Sequence, residues 1–273
     1  MTHVVVVGAG QAGASLVAKL RSIGFEGQIT LIGAEKVPPY QRPPLSKAYL
    51  LGEMAEERLY LRPVGFYADQ GINLRLDTRV TAIDKEAKTI NLDDGETLAY
   101  DQLVLTMGAH PRTLPAAVGG MLDGVFAVRD LSDADAMAPQ FTAGKRVLII
   151  GGGYIGLEAA AVASKLGLTV TLVEMADRIL KRVAAPETSD YFRALHRAHG
   201  VDIREGVGLD RLLGDEQVTG ARLTDGTELE IDFAVVGVGV NPATILADSA
   251  GLTIGNGITT DDYGRTSDPS IWA

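Results

Sequence analysis

Val4-Val5-Val6-Val7-Gly8-Ala9-Gly10-Gln11-Ala12-Gly13 lies almost at the start of the chain, and Val147-Leu148-Ile149-Ile150-Gly151-Gly152-Gly153-Tyr154-Ile155-Gly156 repeats its form. Each stretch is an apolar, β-branched run, then GxGxxG, then a helical pattern. Leu16, Leu20 and Ile23 follow the first loop; Ala159, Val162, Ala163 and Leu166 follow the second. Such spacing marks one buried helix face. A further apolar strand follows each helix, Gln28–Ile32 and Thr169–Val173. Two βαβ units result, and their continuous apolar strands predict parallel sheets covered on both faces.

The repeat reaches further. Leu103–Thr106 runs into Met107-Gly108-Ala109-His110-Pro111, and Ala234–Val236 runs into Gly237-Val238-Gly239-Val240-Asn241-Pro242. Each is a late strand that ends in a small-residue turn and a proline. Asp93-Asp94-Gly95 and Thr224-Asp225-Gly226 predict one hairpin turn in each half. The Pro- and Gly-rich segment 112–120 is the expected crossing between halves. The predicted fold is α/β, with two Rossmann-like dinucleotide-binding domains. One is discontinuous, 1–113 plus 241–273; the other is 114–240.

The loops carry a definite chemistry. The first glycine permits a tight turn, the second lets a pyrophosphate approach the backbone, and the third lets helix and strand pack. The helix N-terminus adds N–H groups and partial positive charge. Gly8, Gly10 and Gly13 form one such set, with Ala12 beside them; Gly151, Gly153 and Gly156 form the other. An acid near the end of the next strand can accept both hydroxyls of a ribose. Glu174 is that acid in the second unit, which favours NAD over NADP, although Arg178 stands close enough to leave the preference open. In the first unit Ala34 offers no oxygen, and Glu35 follows it. Two dinucleotide sites in one chain are most simply explained by electron transfer between a flavin and a nicotinamide.

Composition narrows the class. The 273 residues are 46% hydrophobic and 22% charged, which fits a globular chain able to bury a core without staples. There is no cysteine, so no disulfide framework, thiolate metal site, cysteine nucleophile or redox dithiol exists within these residues. A net charge of −10 argues against nucleic acid as a partner. No apolar run approaches 18 residues, so no membrane span is expected, and nothing after Met1 reads as a signal peptide. A cytoplasmic location is expected. His3, His110, His196 and His199 show no metal spacing, and no metal site is expected.

Pro38-Pro39-Tyr40-Gln41-Arg42-Pro43-Pro44-Leu45-Ser46-Lys47, the two loops, Glu158 and Thr266-Ser267-Asp268-Pro269-Ser270-Ile271-Trp272-Ala273 occur in one order along the chain. Together they resemble the FAD- and NADH-dependent ferredoxin reductases of the putidaredoxin- and rubredoxin-reductase type, relatives of glutathione reductase. The resemblance implies electron flow from NADH through FAD to a ferredoxin or rubredoxin-type carrier protein. It implies FAD contacts from Gly8, Gly10, Ala12, Gly13, Ala34 or Glu35, Arg42, Val80, Thr106, Gly108 and Arg129. It places Lys47 beside the reactive edge of the flavin, with Glu158 as its acidic partner. Gly151, Gly153, Tyr154, Ile155, Gly156, Glu174 and Gly239 would serve the NAD side.

On the residues alone, plainer readings stand beside these. Lys47 reads as a surface lysine capping a turn, and Glu158 as a helix first-turn acid favoured by the dipole. Tyr154 reads as core, Arg42 and Arg129 as solvated, and Trp272 as core within an apolar strand. Arg193, Arg197 and His199 are candidates for a local basic docking patch or for a solvated helix face. The relatives' Thr-Ser-Asp-Pro segment continues into a Gly-Asp turn and a third domain, so the expectation is a C-terminally truncated chain with weakened FAD binding. The alternative reading is a dinucleotide-binding module without efficient turnover.

Overall fold

The computed structural model describes residues 1–273. In chain order come β1 (His3–Val7), α1 (Gln11–Ser22), β2 (Gln28–Ile32), α2 (Phe66–Asp69), β3 (Ile72–Arg75), β4 (Val80–Asp84), β5 (Thr89–Leu92), β6 (Thr97–Ala99), β7 (Gln102–Leu105) and β8 (Ala109–Pro111). There follow β9 (Val125–Ala127), α3 (Leu131–Met137), β10 (Arg146–Ile150), α4 (Tyr154–Lys165), β11 (Thr169–Glu174), α5 (Pro186–Ala198) and β12 (Asp202–Glu205). The remainder is β13 (Leu209–Leu213), β14 (Gly220–Leu223), β15 (Glu228–Glu230), β16 (Phe233–Val236), β17 (Val240–Pro242), α6 (Ile245–Ser249) and β18 (Ile271–Trp272).

These elements gather into two compact units. The first holds Met1–Gln41, Glu56–His110 and Pro242–Ala273; the second holds Arg42–Ala55 and Pro111–Asn241. Residues 42–55, grouped with 1–113 on sequence grounds, therefore gather with the second unit. Polar contacts of Ser46, Tyr49 and Glu53, described below, account for this.

The first unit is built on a five-stranded parallel sheet ordered β18-β7-β1-β2-β3. The second is built on β12-β11-β10-β16-β9, also parallel throughout. In both, the strand before the glycine loop lies at the centre, between the next strand and the late strand. That place buries both of its faces. Val5 and Val7 join Ile32, Ile83 and Ile90 in one apolar cluster, while Val4 and Val6 join Val17, Ile29 and Leu31 in another. The period-two alternation thus feeds two cores, and each fully buried side chain of this kind contributes about 1.5–3 kcal/mol.

Each unit also carries a three-stranded antiparallel sheet, β4-β5-β6 and β13-β14-β15. The two expected turns form in the same way. Gly95 and Gly226 take φ of 88° and 86°. Asp94 and Asp225 accept the N–H two residues on, from Glu96 at 2.8 Å and Thr227 at 2.9 Å.

Trp272 departs from the core expected of it. It pairs through β18 with Val104, but its ring is half-buried. Its Nε1 donates to Gln102 Oε1 at 2.7 Å, and the Arg265 guanidinium lies 5.5 Å from the ring centre. Alternation explains it: Ile271 takes the buried face, and the next side chain must take the other. No helix is long and apolar enough to cross a membrane.

Candidate functional site

The two glycine loops are geometric copies. Gly8 and Gly151 both have positive φ, 113° and 110°, and both lie against the end of the late strand, at Thr106 and Gly237. A Cβ on either would strike a backbone carbonyl there. A Cβ on the third glycine, Gly13 or Gly156, would strike the carbonyl of the first. The second glycine differs: nothing lies within 4 Å of a Cβ built on Gly10 or Gly153. These two residues are the N-caps of α1 and α4, and neither helix has a side-chain cap. The first N–H groups to bond back are those of Ala14 to Gly10 and Leu157 to Gly153, both at 3.0 Å. The N–H groups ahead of them are thus left for an anionic group in the space over the second glycine. Thr106 braces the first loop, its hydroxyl donating to Gly8 O at 2.8 Å and its N–H to Val7 O at 2.8 Å.

The acids after each second strand are already engaged. Glu174 Oε2 accepts the Gly152 N–H at 2.7 Å, and Oε1 accepts the Ala176 N–H at 2.8 Å. Its carboxylate therefore lies against the loop while holding it. Arg178 is turned to Ser189 Oγ, 2.7 Å, and to Lys181 O, 3.2 Å. In the first unit Ala34 is exposed, and the Tyr40 hydroxyl donates to Glu35 Oε2 at 2.6 Å.

Lys47 is not a lone surface lysine. Its Nζ lies 2.7 Å from Glu158 Oε2 and donates to Pro43 O at 2.9 Å. The Ser46 hydroxyl donates to the same Oε2 at 2.6 Å. Segment 42–55 is tied down further by Tyr49 OH donating to Asp135 Oδ1 at 2.6 Å and by a 2.6 Å Lys165–Glu53 ion pair. Arg42 donates to the Arg129 carbonyl at 2.8 Å. The Arg129 and Asp130 N–H groups donate to Asp133 Oδ2 at 2.8 and 3.1 Å. Burial pushes the Asp133 carboxyl up, and those two N–H groups pull it back only in part. Arg42 and Arg129 are thus half-buried and engaged rather than solvated.

Tyr154 is 55% exposed, not core, and Ile155 beside it is exposed as well. Val80 begins β4, opposite Leu92, and packs against the first unit's core. Gly108, at φ 70°, accepts the Ala243 N–H at 3.0 Å. It lines a cavity of about 180 Å³ with Leu105, Met107, Thr244, Ile258 and Ala273. Gly239, at φ 108°, accepts the Arg112 N–H at 2.9 Å.

The candidate docking patch is spent within the fold. Arg193 grips Glu205 with Nε and one terminal nitrogen, at 2.6 and 2.9 Å, and reaches Asp190 with the other. Burial pushes the Glu205 carboxyl up, but Arg193 and the Ile179 N–H outweigh it and hold it below the usual range. Arg197 donates to Ile203 O. His196 is buried, and burial pulls its imidazole down. No group of three or more His, Asp or Glu is placed to hold a metal.

Sequence reasoning gave Ser46 no role. Its hydroxyl meets Glu158 across 112 positions of chain, and no spacing rule spans that distance.

The sequence model for "Pyridine nucleotide-disulphide oxidoreductase" matches residues 2–273. The 5,5'-dehydrodivanillate O-demethylase ferredoxin reductase subunit of Sphingobium sp. is 46% identical over 98% of this chain and 65% of its own length. Putidaredoxin reductase of Pseudomonas putida is 45% identical over 99% of this chain and 65% of its own length. The chain therefore spans just under two thirds of these curated relatives. The crystal structure of a covalent putidaredoxin reductase–putidaredoxin complex matches with a TM-score of 0.96 at 43% identity, over 99% of this chain and 66% of that one. With its duplicated parallel sheets and glycine loops, the chain belongs to the pyridine nucleotide-disulphide oxidoreductase family.

Proposed function

We propose that this chain is the dinucleotide-binding part of a cytoplasmic flavoprotein reductase. It would pass electrons from NADH through FAD to a small iron–sulfur or rubredoxin-type carrier of an oxygenase system. The observation that carries the reading is the duplicated loop, with open space over Gly10 and Gly153 at uncapped helix N-termini. An ordinary tight turn has no need of that clearance; a pyrophosphate does. Relatives named as ferredoxin, putidaredoxin and rubredoxin reductases support the same assignment.

The residues fit the two cofactors as follows. Gly8, Gly10, Ala12 and Gly13 would hold the FAD pyrophosphate, and Gly151, Gly153, Tyr154, Ile155 and Gly156 that of NADH. Glu174 has one oxygen on the Gly152 N–H and the other on the Ala176 N–H and can still accept ribose hydroxyls, because each carboxylate oxygen has a further lone pair. When bound, FAD would supply the hydride acceptor and the later release of single electrons. Lys47 spends two of its three N–H groups on Glu158 and Pro43, and the third is available to an electron-rich ring atom. Its charge would stabilise the negative charge that hydride brings. These residues contain no cysteine, so the path within them runs without a dithiol relay.

Calorimetric titration of the purified chain with NADH and with FAD tests the proposal, followed by stopped-flow reduction of the 450 nm flavin band. Saturable NADH binding and NADH-driven bleaching are expected. A chain that binds neither dinucleotide would overturn the assignment.

A further inference from the structure

We propose that Ser46 is a positioning residue for this site: its buried hydroxyl fixes the Glu158 carboxylate and, through it, the Lys47 ammonium. The part concerning reaction with a dinucleotide rests on the function proposed above; the holding of Lys47 does not.

The Lys47–Glu158 pair is a poor clamp by itself. The two side chains are 46% and 27% exposed. Exposed ion pairs of that kind hold by no more than a factor of about five, and the long lysine stem gives up rotamer freedom to form one. Ser46 is different in kind. It is 5% exposed and ends the short 3₁₀ turn Pro43–Ser46, where the two proline rings fix the backbone. The turn is closed by the Lys47 and Tyr49 N–H groups, both donating to Pro44 O, and is anchored by Leu45, 1% exposed. Glu158 stands on α4 between the buried Leu157 and Ala159. A rigid donor and a rigidly mounted acceptor meet at 2.6 Å, the length of a strong charge-assisted hydrogen bond.

Both donors converge on Oε2. The serine therefore sets the rotation of the carboxylate and hence the point to which Lys47 Nζ is drawn. Without the hydroxyl the carboxylate can turn about its last bond, and the lysine can follow it or leave.

Site-resolved acylation of lysines in the cofactor-free chain, read by mass spectrometry, measures how tightly Lys47 is held. Ser46→Ala should raise the Lys47 rate about fivefold, the factor for one lost hydrogen bond. Lys145, held by Gln140 at 2.7 Å, should stay unchanged as the internal reference. Glu158→Gln should raise the Lys47 rate comparably. The double variant should exceed neither single, because both act through one contact. Ser46→Thr, which keeps the hydroxyl, should hold the wild-type rate. An unchanged Lys47 rate in a Ser46→Ala chain with wild-type unfolding, or additive effects in the double variant, would overturn the proposal.

In the FAD-loaded chain, Ser46→Ala should lower kcat for flavin reduction about fivefold and leave KM for NADH in place. Unchanged kcat would refute the positioning role. A chain that takes up no FAD would sink the proposed function, while the acylation arm would still decide what Ser46 holds.

Discussion

Gly153→Ala and Gly156→Ala separate two demands that one motif makes on its glycines. Gly153 has φ −82° and ψ −176°, a conformation open to any residue, and nothing lies within 4 Å of its built Cβ. Alanine there loses part of the N-cap preference, about 0.5–1 kcal/mol, and regains about 0.4–1 kcal/mol from a less flexible unfolded chain. Stability should thus move by less than about 1 kcal/mol. The methyl group, however, fills the clearance over the helix N-terminus. NADH should bind about thirtyfold more weakly, or about 2 kcal/mol.

Gly156→Ala should do the reverse. Helix propensity favours alanine by about 0.8–1 kcal/mol. Its Cβ would stand inside 3.0 Å of Gly151 O, with Gly151 C at 3.2 Å and Ile149 Cγ2 at 3.4 Å. Relief requires moving the first glycine or prising the helix from the sheet. Overpacking of one to two methylene equivalents costs about 1–3 kcal/mol, and a bond angle strained by ~7° about 1 kcal/mol more. The net expectation is a loss of about 2 kcal/mol, or about 4–8 °C in the melting of the second unit. Urea unfolding followed by circular dichroism and NADH titration by calorimetry read both quantities. Wild-type NADH affinity in Gly153→Ala, or a wild-type unfolding midpoint in Gly156→Ala, would refute these separate roles.

Other perturbations bear on the rest of the chain. Glu174→Gln sets an NH2 group against one of the two N–H donors that its separate oxygens now accept; NADH affinity should fall about tenfold, and undiminished affinity would reject the ribose role. Arg193→Leu leaves Glu205 with the Ile179 N–H and the charge of Arg197. The pair is 20% and 14% exposed, so the loss should be about 2 kcal/mol, and a melting temperature identical to wild type would show that the contact does no holding. His196 is buried neutral, with its imidazole pulled below the ordinary value of about 6.5 by burial and then by His199. The unfolded chain takes up the proton first. The stabilising contribution is therefore whole above about pH 6.5 and is lost as pH falls from there through the folded value. His196→Leu should flatten the urea midpoint between pH 7.5 and 5.5; an unaltered slope would remove His196 from the acid response.

Much of this architecture is legible in one dimension because its causes are local. A strand buried on both faces must be apolar at every position, and Val4–Val7 and Val147–Ile150 are. A carbonyl packed against a Cα demands glycine, and the GxGxxG spacing records two such approaches in each unit. A turn at positive φ demands Gly95 and Gly226. Pro38–Lys47, the two glycine loops, Glu158 and Thr266–Ala273, in one order, carried the family resemblance, and through it the pairing of Lys47 with Glu158, which residue types alone did not favour over a turn-capping lysine.

The tertiary structure decided what depends on meetings between distant positions. Residues 42–55 gather with the second unit because Ser46, Tyr49 and Glu53 find their partners there. Arg193 and Arg197, a basic patch on paper, are consumed by Glu205, Asp190 and Ile203. Trp272 is half-exposed because Ile271 took the inward face of a two-residue strand. Ser46 acquires a role only when the chain brings Glu158 within 2.6 Å of its hydroxyl. Spacing encodes the backbone's own conformational needs. It cannot encode which side chains meet once sheets and helices have packed, since that is set by the sum of many weak contacts rather than by any short run of residues.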